Sequence, residues 1–290
     1  MKVTRTADCV MPLTLNRMKK TAAYLREKKQ RQERISALTC YDYPTALLED
    51  KAGIDLIIVG DSVGTNILGY DDETQVTMDD IVHHLKAVKR GATSCYILAD
   101  LPYATYETPE QALGNAQRLL DNGADGVKLE GQREAVVAYL VERGVPVSGH
   151  LGLLPQIHTQ HTVQGKTFQQ AQAILEGALA LEKLGICMLV LELVPEELAQ
   201  TISQRLTIPT IGIGAGRFTD GQVLVINDIL GLTPFKLRLA KRYQDYQTLT
   251  LQAIQQYRQE VEQRQFPSEA NARHMPEEEL EKLNQWLSLT

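Results

Sequence analysis

Residues 96–130 have the sequence YILADLPYATYETPEQALGNAQRLLDNGADGVKLE, which contains one full copy of the repeating unit of this chain. The stretch opens with a short apolar run, Tyr96–Asp100, and closes with a second one, Gly126–Leu129. Between the two runs, Thr108 is a helix N-cap and Gly123 follows the last apolar turn as the residue that ends the helix. A strand, a helix and a second strand in this order predict one βαβ unit of a parallel sheet.

Apolar runs of four or five residues recur along the chain and alternate with helical patterns. We place eight of them, at 37–41, 56–60, 96–100, 126–129, 146–149, 188–192, 210–214 and 223–226. Their nearly continuous apolar character is typical of strands that are buried on both faces. Eight such repeats predict the α/β class and a closed (β/α)8 TIM barrel.

The domain organisation follows from the limits of this repeat. We expect one catalytic domain over residues 35–265, because no Pro- or Ser-rich linker interrupts the repeats. Residues 1–34 are predicted to form an N-terminal extension, with a helix over 15–34 that covers the N-terminal mouth of the barrel. Residues 266–290 are predicted to form a tail with an amphipathic helix after Pro276, which packs on the barrel or on a neighbouring subunit.

Composition excludes several classes of protein. The chain has 290 residues, and its 36 acidic and 30 basic side chains give a formal net charge of −6. This mild acidity argues against a nucleic-acid-binding protein. No apolar run reaches the roughly 18 residues that cross a bilayer, so no membrane association is expected. The four cysteines lack C-x-x-C spacing, and a reducing cytoplasm is the expected location.

Polar side chains follow five of the predicted strands, at the face where TIM barrels hold their active sites. These side chains are Asp61, Ser62, Asp100, Lys128, Glu130, His150 and Glu192. A single carboxylate at a strand end is commonly the N-cap of the next helix. Several carboxylates in one partly dry pocket are costly unless a cation neutralises them, so the group indicates a cation site.

The types of side chain indicate which metal ion this is. Asp61, Asp100 and Glu130 offer oxygen ligands without a histidine or thiol partner, which favours magnesium or manganese over zinc. His158 and His161 have the spacing of a metal pair, but they lie in a polar loop with no third ligand within reach in the sequence. We therefore predict no zinc site there.

Three of the strand-end residues have specific expected roles. Lys128 and Glu130 alternate with Leu129, so both side chains face the barrel interior, where they are functional or form an internal ion pair. Glu192 closes an apolar strand and is the expected general base; the alternative is an ion pair with Lys128 or Arg217.

His150 lies between glycines in the sequence GHLGL, which lets its ring approach a ligand closely. The alternative is that the ring makes hydrogen bonds within the core. We favour the ligand-binding role, because the residue follows a strand at the same face as the carboxylates.

Seven motifs between residues 59 and 225 resemble those of the ketopantoate hydroxymethyltransferase family and follow the same order, and the resemblance spans roughly residues 14–267. They are VGDSVG (59–64), LADLPY (98–103), VKLEG (127–131), GHLGLLPQ (149–156), LVLELVP (189–195), IPTIGIGAG (208–216) and DGQVLV (220–225). The resemblance implies a (β/α)8 barrel that binds Mg²⁺. It also implies that methylenetetrahydrofolate is the co-substrate that hydroxymethylates 3-methyl-2-oxobutanoate to 2-dehydropantoate. A homo-oligomer, commonly a decamer, is implied as well.

The resemblance also assigns a role to each strand-end residue. The implied metal ligands are Asp61, Asp100 and Glu130, the implied substrate contacts are Asp61, Ser62, Asp100, Lys128 and His150, and the implied base is Glu192. The loop from Ile157 to Lys166 departs from the family pattern, because it is shorter and lacks a glycine pair. Two other functions stay open: another Mg²⁺-dependent 2-oxo-acid C–C lyase or mutase, and a non-catalytic ligand-binding or assembly protein.

Overall fold

The computed structural model describes residues 18–157, 162–233 and 238–289, and it confirms the predicted barrel. Eight parallel strands follow one another around a closed sheet in chain order. The strands are β1 Ile35–Thr39, β2 Leu56–Val59, β3 Tyr96–Asp100, β4 Gly126–Lys128, β5 Val147–Gly152, β6 Met188–Glu192, β7 Thr210–Ile213 and β8 Gly221–Leu224. The carboxyl ends of all eight strands therefore meet at one mouth.

The helices alternate with these strands. They are α1 Ala22–Gln30, α2 Tyr43–Ala52, α3 Met78–Gly91, α4 Pro109–Asp121, α5 Glu134–Glu142, α6 Phe168–Lys183, α7 Glu196–Arg205, α8 Ile226–Leu230, α9 Tyr246–Glu262 and α10 Glu277–Leu287. Three of them begin after a threonine N-cap, including α4, whose N-cap Thr108 is predicted from the sequence. The side chains of Thr77, Thr108 and Thr167 each accept a hydrogen bond from a backbone N–H of the first helical turn.

Strand boundaries differ from the predicted ones where the apolar pattern is ambiguous. Strands β3 and β6 have the predicted limits, whereas β5 continues beyond the predicted end at Gly149 to Gly152. The predicted strand 223–226 is displaced, because β8 already begins at Gly221 and Ile226 is the first residue of α8. A short apolar run is compatible with either a buried strand or a buried helix turn.

Helix α1 closes the N-terminal mouth of the barrel and is shorter than the predicted 15–34. Its Leu25 is fully buried against the first residues of several strands, including Ile35, Leu56 and Tyr96. Lys28 Nζ lies 2.7 Å from Asp55 Oδ2 at the same end of the barrel. The apolar core thus continues from the barrel interior into the extension, well away from the other mouth.

The last two helices have no such partner in the described part of the chain. Helix α10 begins after Pro276, as predicted, but neither α9 nor α10 contains a buried residue. The apolar side chains of α9 that lie exposed include Tyr246, Leu249, Ile254, Tyr257 and Val261. These residues are spaced three, five, three and four positions apart and lie on one side of the helix, so α9 has one exposed apolar face in the described part of the chain.

Glu49 is an unusual feature of helix α2. The residue is only 4% exposed, and neither of its carboxylate oxygens has a hydrogen-bond partner among the described residues. Burial, followed by the nearby charge of Asp42, raises the pKa of Glu49 to about 8. Glu49 is thus largely protonated in the folded protein at neutral pH.

Replacing Glu49 tests this assignment. The unfolded carboxyl ionises near its ordinary pKa of 4.5, so the folded state binds more protons between that pH and about 8. Over this window the residue lowers the free energy of unfolding as the pH rises. Glu49→Gln should remove this part of the pH dependence, as measured by denaturant unfolding at several pH values, whereas the exposed control Glu281→Gln should not. The same pH dependence in wild type and Glu49→Gln would mean that Glu49 is already ionised in the folded protein.

Candidate active site

A cavity of about 1300 Å³ lies at the carboxyl ends of the strands. The side chains that the sequence predicts for this mouth all line it, namely Asp61, Ser62, Asp100, Lys128, Glu130, His150 and Glu192. Ser62 and Glu192 are half-buried, and the other five are buried. The structure therefore brings together every residue of the predicted site.

Lys128 and Asp100 form an ion pair because their strands place them side by side. Asp100 ends β3, Lys128 ends β4, and the two residues are partners in the parallel register. Lys128 Nζ lies 3.0 Å from Asp100 Oδ2. Burial alone would lower the pKa of Lys128, but the charges of Asp100 and Asp61 outweigh it and raise this pKa. The lysine is therefore a cation in the cavity wall.

Asp61 lies next to this ion pair and adds a second carboxylate. Its backbone N–H donates a hydrogen bond to Asp100 Oδ2 at 3.2 Å. Burial, followed by the charge of Asp100, raises the pKa of Asp61 well above its ordinary value. Asp100 Oδ1 is buried and has no hydrogen-bond partner among the described residues. The carboxylates of Asp61 and Asp100 thus face the one ammonium group of Lys128, and Asp100 Oδ1 is available to a further ligand.

His150 lies between two carboxylates in the other half of the mouth. Its Nδ1 is 3.4 Å from Glu130 Oε1 and its Nε2 is 3.2 Å from Glu192 Oε2, which are ion-pair distances without hydrogen-bond geometry. Burial opposes protonation of the ring, but Glu130 and Glu192 together raise the pKa of His150 to about 9. The ring is therefore an imidazolium at neutral pH, held from both sides.

Glu130 is turned toward His150 rather than toward the two aspartates. In addition to the histidine contact, its Oε2 accepts a hydrogen bond from the backbone N–H of Gln156 at 3.1 Å. Within residues 18–157, 162–233 and 238–289, no three Asp, Glu, His or Cys side chains are grouped so that they could hold a metal ion. The ligation of a metal by Asp61, Asp100 and Glu130 therefore stays a prediction, and of the three carboxylates Asp61 and Asp100 are the adjacent pair.

The alternative ion pairs of Glu192 are not present. Lys128 pairs with Asp100, and the guanidinium of Arg217 lies 2.8 Å from Glu196 Oε1 at the start of α7. Glu192 instead lies beside His150 and faces the cavity with part of its side chain exposed. Its carboxylate is accessible to a bound molecule, as a general base must be.

Two residues of the site have no signal in the sequence pattern. The hydroxyl of Tyr41, a fully buried residue, lies 2.8 Å from Ser62 Oγ and orients it. Gln156 contacts two of the carboxylates from a loop. Tyr41 is the last residue of the predicted strand 37–41, and Gln156 is the last residue of the motif GHLGLLPQ, but neither pattern indicates which site residue the side chain contacts. His158 and His161 lie outside the described residues.

Comparison with known proteins shows the family to which the chain belongs. The sequence model of ketopantoate hydroxymethyltransferase matches residues 19–269. The chain belongs to this family. A ketopantoate hydroxymethyltransferase relative from Dehalococcoides mccartyi, named 3-methyl-2-oxobutanoate hydroxymethyltransferase, is 49% identical over 259 residues, which are 87% of this chain and 93% of the relative. The relative of that name from Thermus thermophilus is 47% identical over 262 residues, 88% of this chain and all of the relative.

Solved structures with the same fold are far more distant. A phosphonopyruvate hydrolase in complex with oxalate and Mg²⁺ has a TM-score of 0.59 and 11% identity, and the match covers 93% of this chain and 96% of the hydrolase. A 2,3-dimethylmalate lyase has a TM-score of 0.52 and 15% identity, with coverage of 94% and 98%. At these identities the likeness establishes the barrel fold of this hydroxymethyltransferase family member and nothing more.

Gly152 of β5 allows a close approach to the backbone of Glu192, the candidate base on β6. Its φ is +99°, and a Cβ at this position would lie 2.1 Å from the carbonyl oxygen of Glu192. Gly144 is a useful comparison, because its φ is +76° and a Cβ there would contact nothing within 4 Å. An alanine would have an unfavourable positive φ at either position, but its Cβ would clash with a neighbour only at position 152.

Alanine substitutions at these two glycines should therefore have different effects. Gly144→Ala should cost about 1–2 kcal/mol, the usual cost of a positive φ for a residue with a side chain. Gly152→Ala should cost more, because the backbone of Glu192 must move away. Denaturant unfolding of both variants measures the difference. Equal losses of stability would show that β6 accommodates the methyl group without strain.

Proposed function

We propose that this chain is a 3-methyl-2-oxobutanoate hydroxymethyltransferase. In this reaction the hydroxymethyl group of 2-dehydropantoate comes from methylenetetrahydrofolate. The observation that carries the proposal is the pair of half-sites in one cavity, with Asp61, Asp100 and Lys128 on one side and Glu192 with His150 on the other. Relatives of that name at 46–49% identity support it.

Mg²⁺ fits the first half-site, where we infer that Asp61 and Asp100 would hold it. Their carboxylates are buried side by side, and Asp100 Oδ1 has no hydrogen-bond partner in the described ranges. Mg²⁺ is commonly bound by one or two carboxylates, with the other positions left to water and substrate oxygens. When bound, the cation stabilises negative charge on the oxygens of a 2-oxo acid. Glu130, the third predicted ligand, lies beside His150 in the structure.

Lys128 and Ser62 are proposed to bind the carboxylate of the substrate. The ammonium group of Lys128 lines the cavity and remains charged, and charge-assisted hydrogen bonds to a carboxylate are strong in a water-poor site. The Ser62 hydroxyl is oriented by Tyr41 from behind. Together they would fix one end of the 2-oxo acid, so that its branched carbon points across the cavity.

Glu192 is proposed to accept the proton of that branched carbon. Its side chain is 17% exposed, which leaves the carboxylate in contact with the cavity, and His150 restricts its orientation at 3.2 Å. Glu130 holds the opposite side of the His150 ring, so the ring cannot swing away. The deprotonated carbon then forms the new C–C bond with the methylene carbon of methylenetetrahydrofolate. The two C–N bonds of that carbon are broken, water supplies the oxygen of the hydroxyl group, and tetrahydrofolate leaves.

A direct assay separates this function from the nearest alternatives. Purified protein is incubated with 3-methyl-2-oxobutanoate, Mg²⁺ and methylenetetrahydrofolate, and 2-dehydropantoate is measured. The proposal requires product that depends on both the folate and the divalent cation. Cleavage of a 2-oxo acid without folate would favour a lyase or mutase instead. Absence of any turnover would favour a non-catalytic binding protein.

We also propose that the chain assembles as a homo-oligomer, a decamer by resemblance to the family, and acts in the cytoplasm. None of the described helices is long and apolar enough to cross a membrane. Helix α9 supports assembly, because its apolar face is exposed among the described residues and Ile254 is 60% exposed. A second copy of the chain is the occupant that we propose for this face.

A charge on the apolar face of α9 tests the assembly. Ile254→Glu should lower the molar mass in solution, because a carboxylate would be buried between copies. Light scattering after size-exclusion chromatography measures the mass. The neighbouring Gln255→Glu serves as control, since the same charge is added on the polar side. An unchanged mass for Ile254→Glu would mean that α9 is not part of the interface.

The proton-transfer role of Glu192 can be isolated from one-carbon transfer. With 3-methyl-2-oxobutanoate and Mg²⁺ but no folate, the wild type should exchange the proton of the branched carbon for deuterium in heavy water. Glu192→Gln should lose this exchange by about 10²-fold or more, since the amide keeps the shape but is not basic. Glu197→Gln, on the surface of α7, should exchange like the wild type. Undiminished exchange in Glu192→Gln would assign the base to another group.

A further inference from the structure

Gln156 makes hydrogen bonds to two carboxylates of the site, those of Asp61 and Glu130. It lies in the loop after β5, is only 3% exposed, and donates through Nε2 to Asp61 Oδ2 at 2.6 Å. The same nitrogen donates to the carbonyl oxygen of Leu101 at 3.1 Å. Its backbone N–H donates to Glu130 Oε2 at 3.1 Å. One residue therefore contacts carboxylates in both halves of the mouth.

The orientation of the Gln156 amide is determined by its surroundings. The carbonyl of Leu101 can only accept hydrogen bonds, and the hydroxyl of Tyr106, itself buried, donates to Gln156 Oε1. A flipped amide would point its oxygen at both the Leu101 carbonyl and the Asp61 carboxylate, which are acceptors. The network therefore allows one orientation, with the NH₂ group toward Asp61.

We propose that Gln156 is the positioning residue of the cation site and that Tyr106 acts through it. The inference rests on the proposed function, in which Asp61 and Asp100 hold Mg²⁺. With Asp61 Oδ2 engaged by the amide, the carboxylate is fixed and its other oxygen is left for the cation. Hydrogen bonds of this kind to a metal-binding carboxylate typically change metal affinity by 10- to 100-fold.

The backbone contact gives Gln156 a second effect. By holding Glu130 Oε2, it directs the other oxygen of Glu130 toward His150, which in turn lies against Glu192. A side-chain substitution at position 156 leaves this backbone N–H in place. The two effects can therefore be separated by experiment.

Gln156→Met removes the amide and keeps the length and unbranched shape of the side chain. We expect Mn²⁺, used as a spectroscopic substitute for Mg²⁺, to bind this variant about 10- to 100-fold more weakly, measured by electron paramagnetic resonance of free Mn²⁺. The same substitution at an exposed glutamine of α6, Gln172→Met, should leave Mn²⁺ affinity unchanged. Mn²⁺ affinity does not depend on turnover, so a loss of activity alone does not affect this readout.

Tyr106→Phe provides the second variant and keeps the test valid if Gln156→Met does not fold. It should weaken Mn²⁺ binding in the same direction but by less, since the amide keeps its donors. The double variant should bind Mn²⁺ like Gln156→Met alone, because Tyr106 acts through Gln156. Additive losses would overturn that part of the inference.

The outcomes distinguish the inference from the proposed function. Suppose that the wild type binds Mn²⁺ and forms product, and that Gln156→Met binds Mn²⁺ with unchanged affinity. This result would overturn the inference about Gln156 and leave the proposed function intact. Wild-type protein that binds no Mn²⁺ would overturn the proposed cation site and the inference with it.

Discussion

Burial of charge at one mouth of the barrel is the constraint on which this structure depends. Five ionisable side chains are buried there, namely Asp61, Asp100, Lys128, Glu130 and His150. An unpaired buried charge costs several kcal/mol, so such a group persists only when its charges are compensated. Each half of the mouth has one cation for two carboxylates, but Glu192 beside His150 is partly exposed, whereas Asp61 and Asp100 beside Lys128 are both buried. The remaining negative charge explains why a divalent cation suits this half of the mouth.

The apolar core that stabilises the barrel lies apart from this charged layer at the mouth. Below the mouth the barrel interior is apolar, with Leu98, Ile58 and Val190 in one cluster that Leu25 of helix α1 completes. At the opposite end, lysines of the extension pair with Asp55. Because the strands are anchored from the far end, their carboxyl ends can carry side chains that contribute chemistry rather than packing.

Much of this arrangement is predictable from sequence because it follows from strand periodicity. Alternation along β4 places Lys128 and Glu130 inward and Leu129 in the apolar layer outside, and Leu129 is indeed buried among the residues of that layer. The direction of a long side chain beyond the strand is not encoded in this way. Glu130 turns toward His150, and only the three-dimensional contact shows that it leaves the aspartate pair.

Contacts between distant loops are the part that the sequence pattern cannot supply. Gln156 and Asp61 are 95 residues apart, and an isolated amide in a loop has no periodicity or spacing that indicates its partner. Helix α1 is shorter than its pattern suggests, because only the turns around Leu25 find an apolar surface. The apolar face of α9 is a similar case. The sequence pattern does not show whether the barrel covers this face, and the structure shows that it does not.

Mutual strengthening of metal and substrate binding tests the central claim most directly. Calorimetric titration gives the Kd of Mg²⁺ for the protein alone, with 3-methyl-2-oxobutanoate, and with 3-methylbutanoate, which lacks the keto oxygen. If Asp61 and Asp100 hold a cation that contacts the 2-oxo acid, the keto acid must tighten Mg²⁺ binding, by linkage, and 3-methylbutanoate must do so much less. The same Kd in all three titrations would contradict the account.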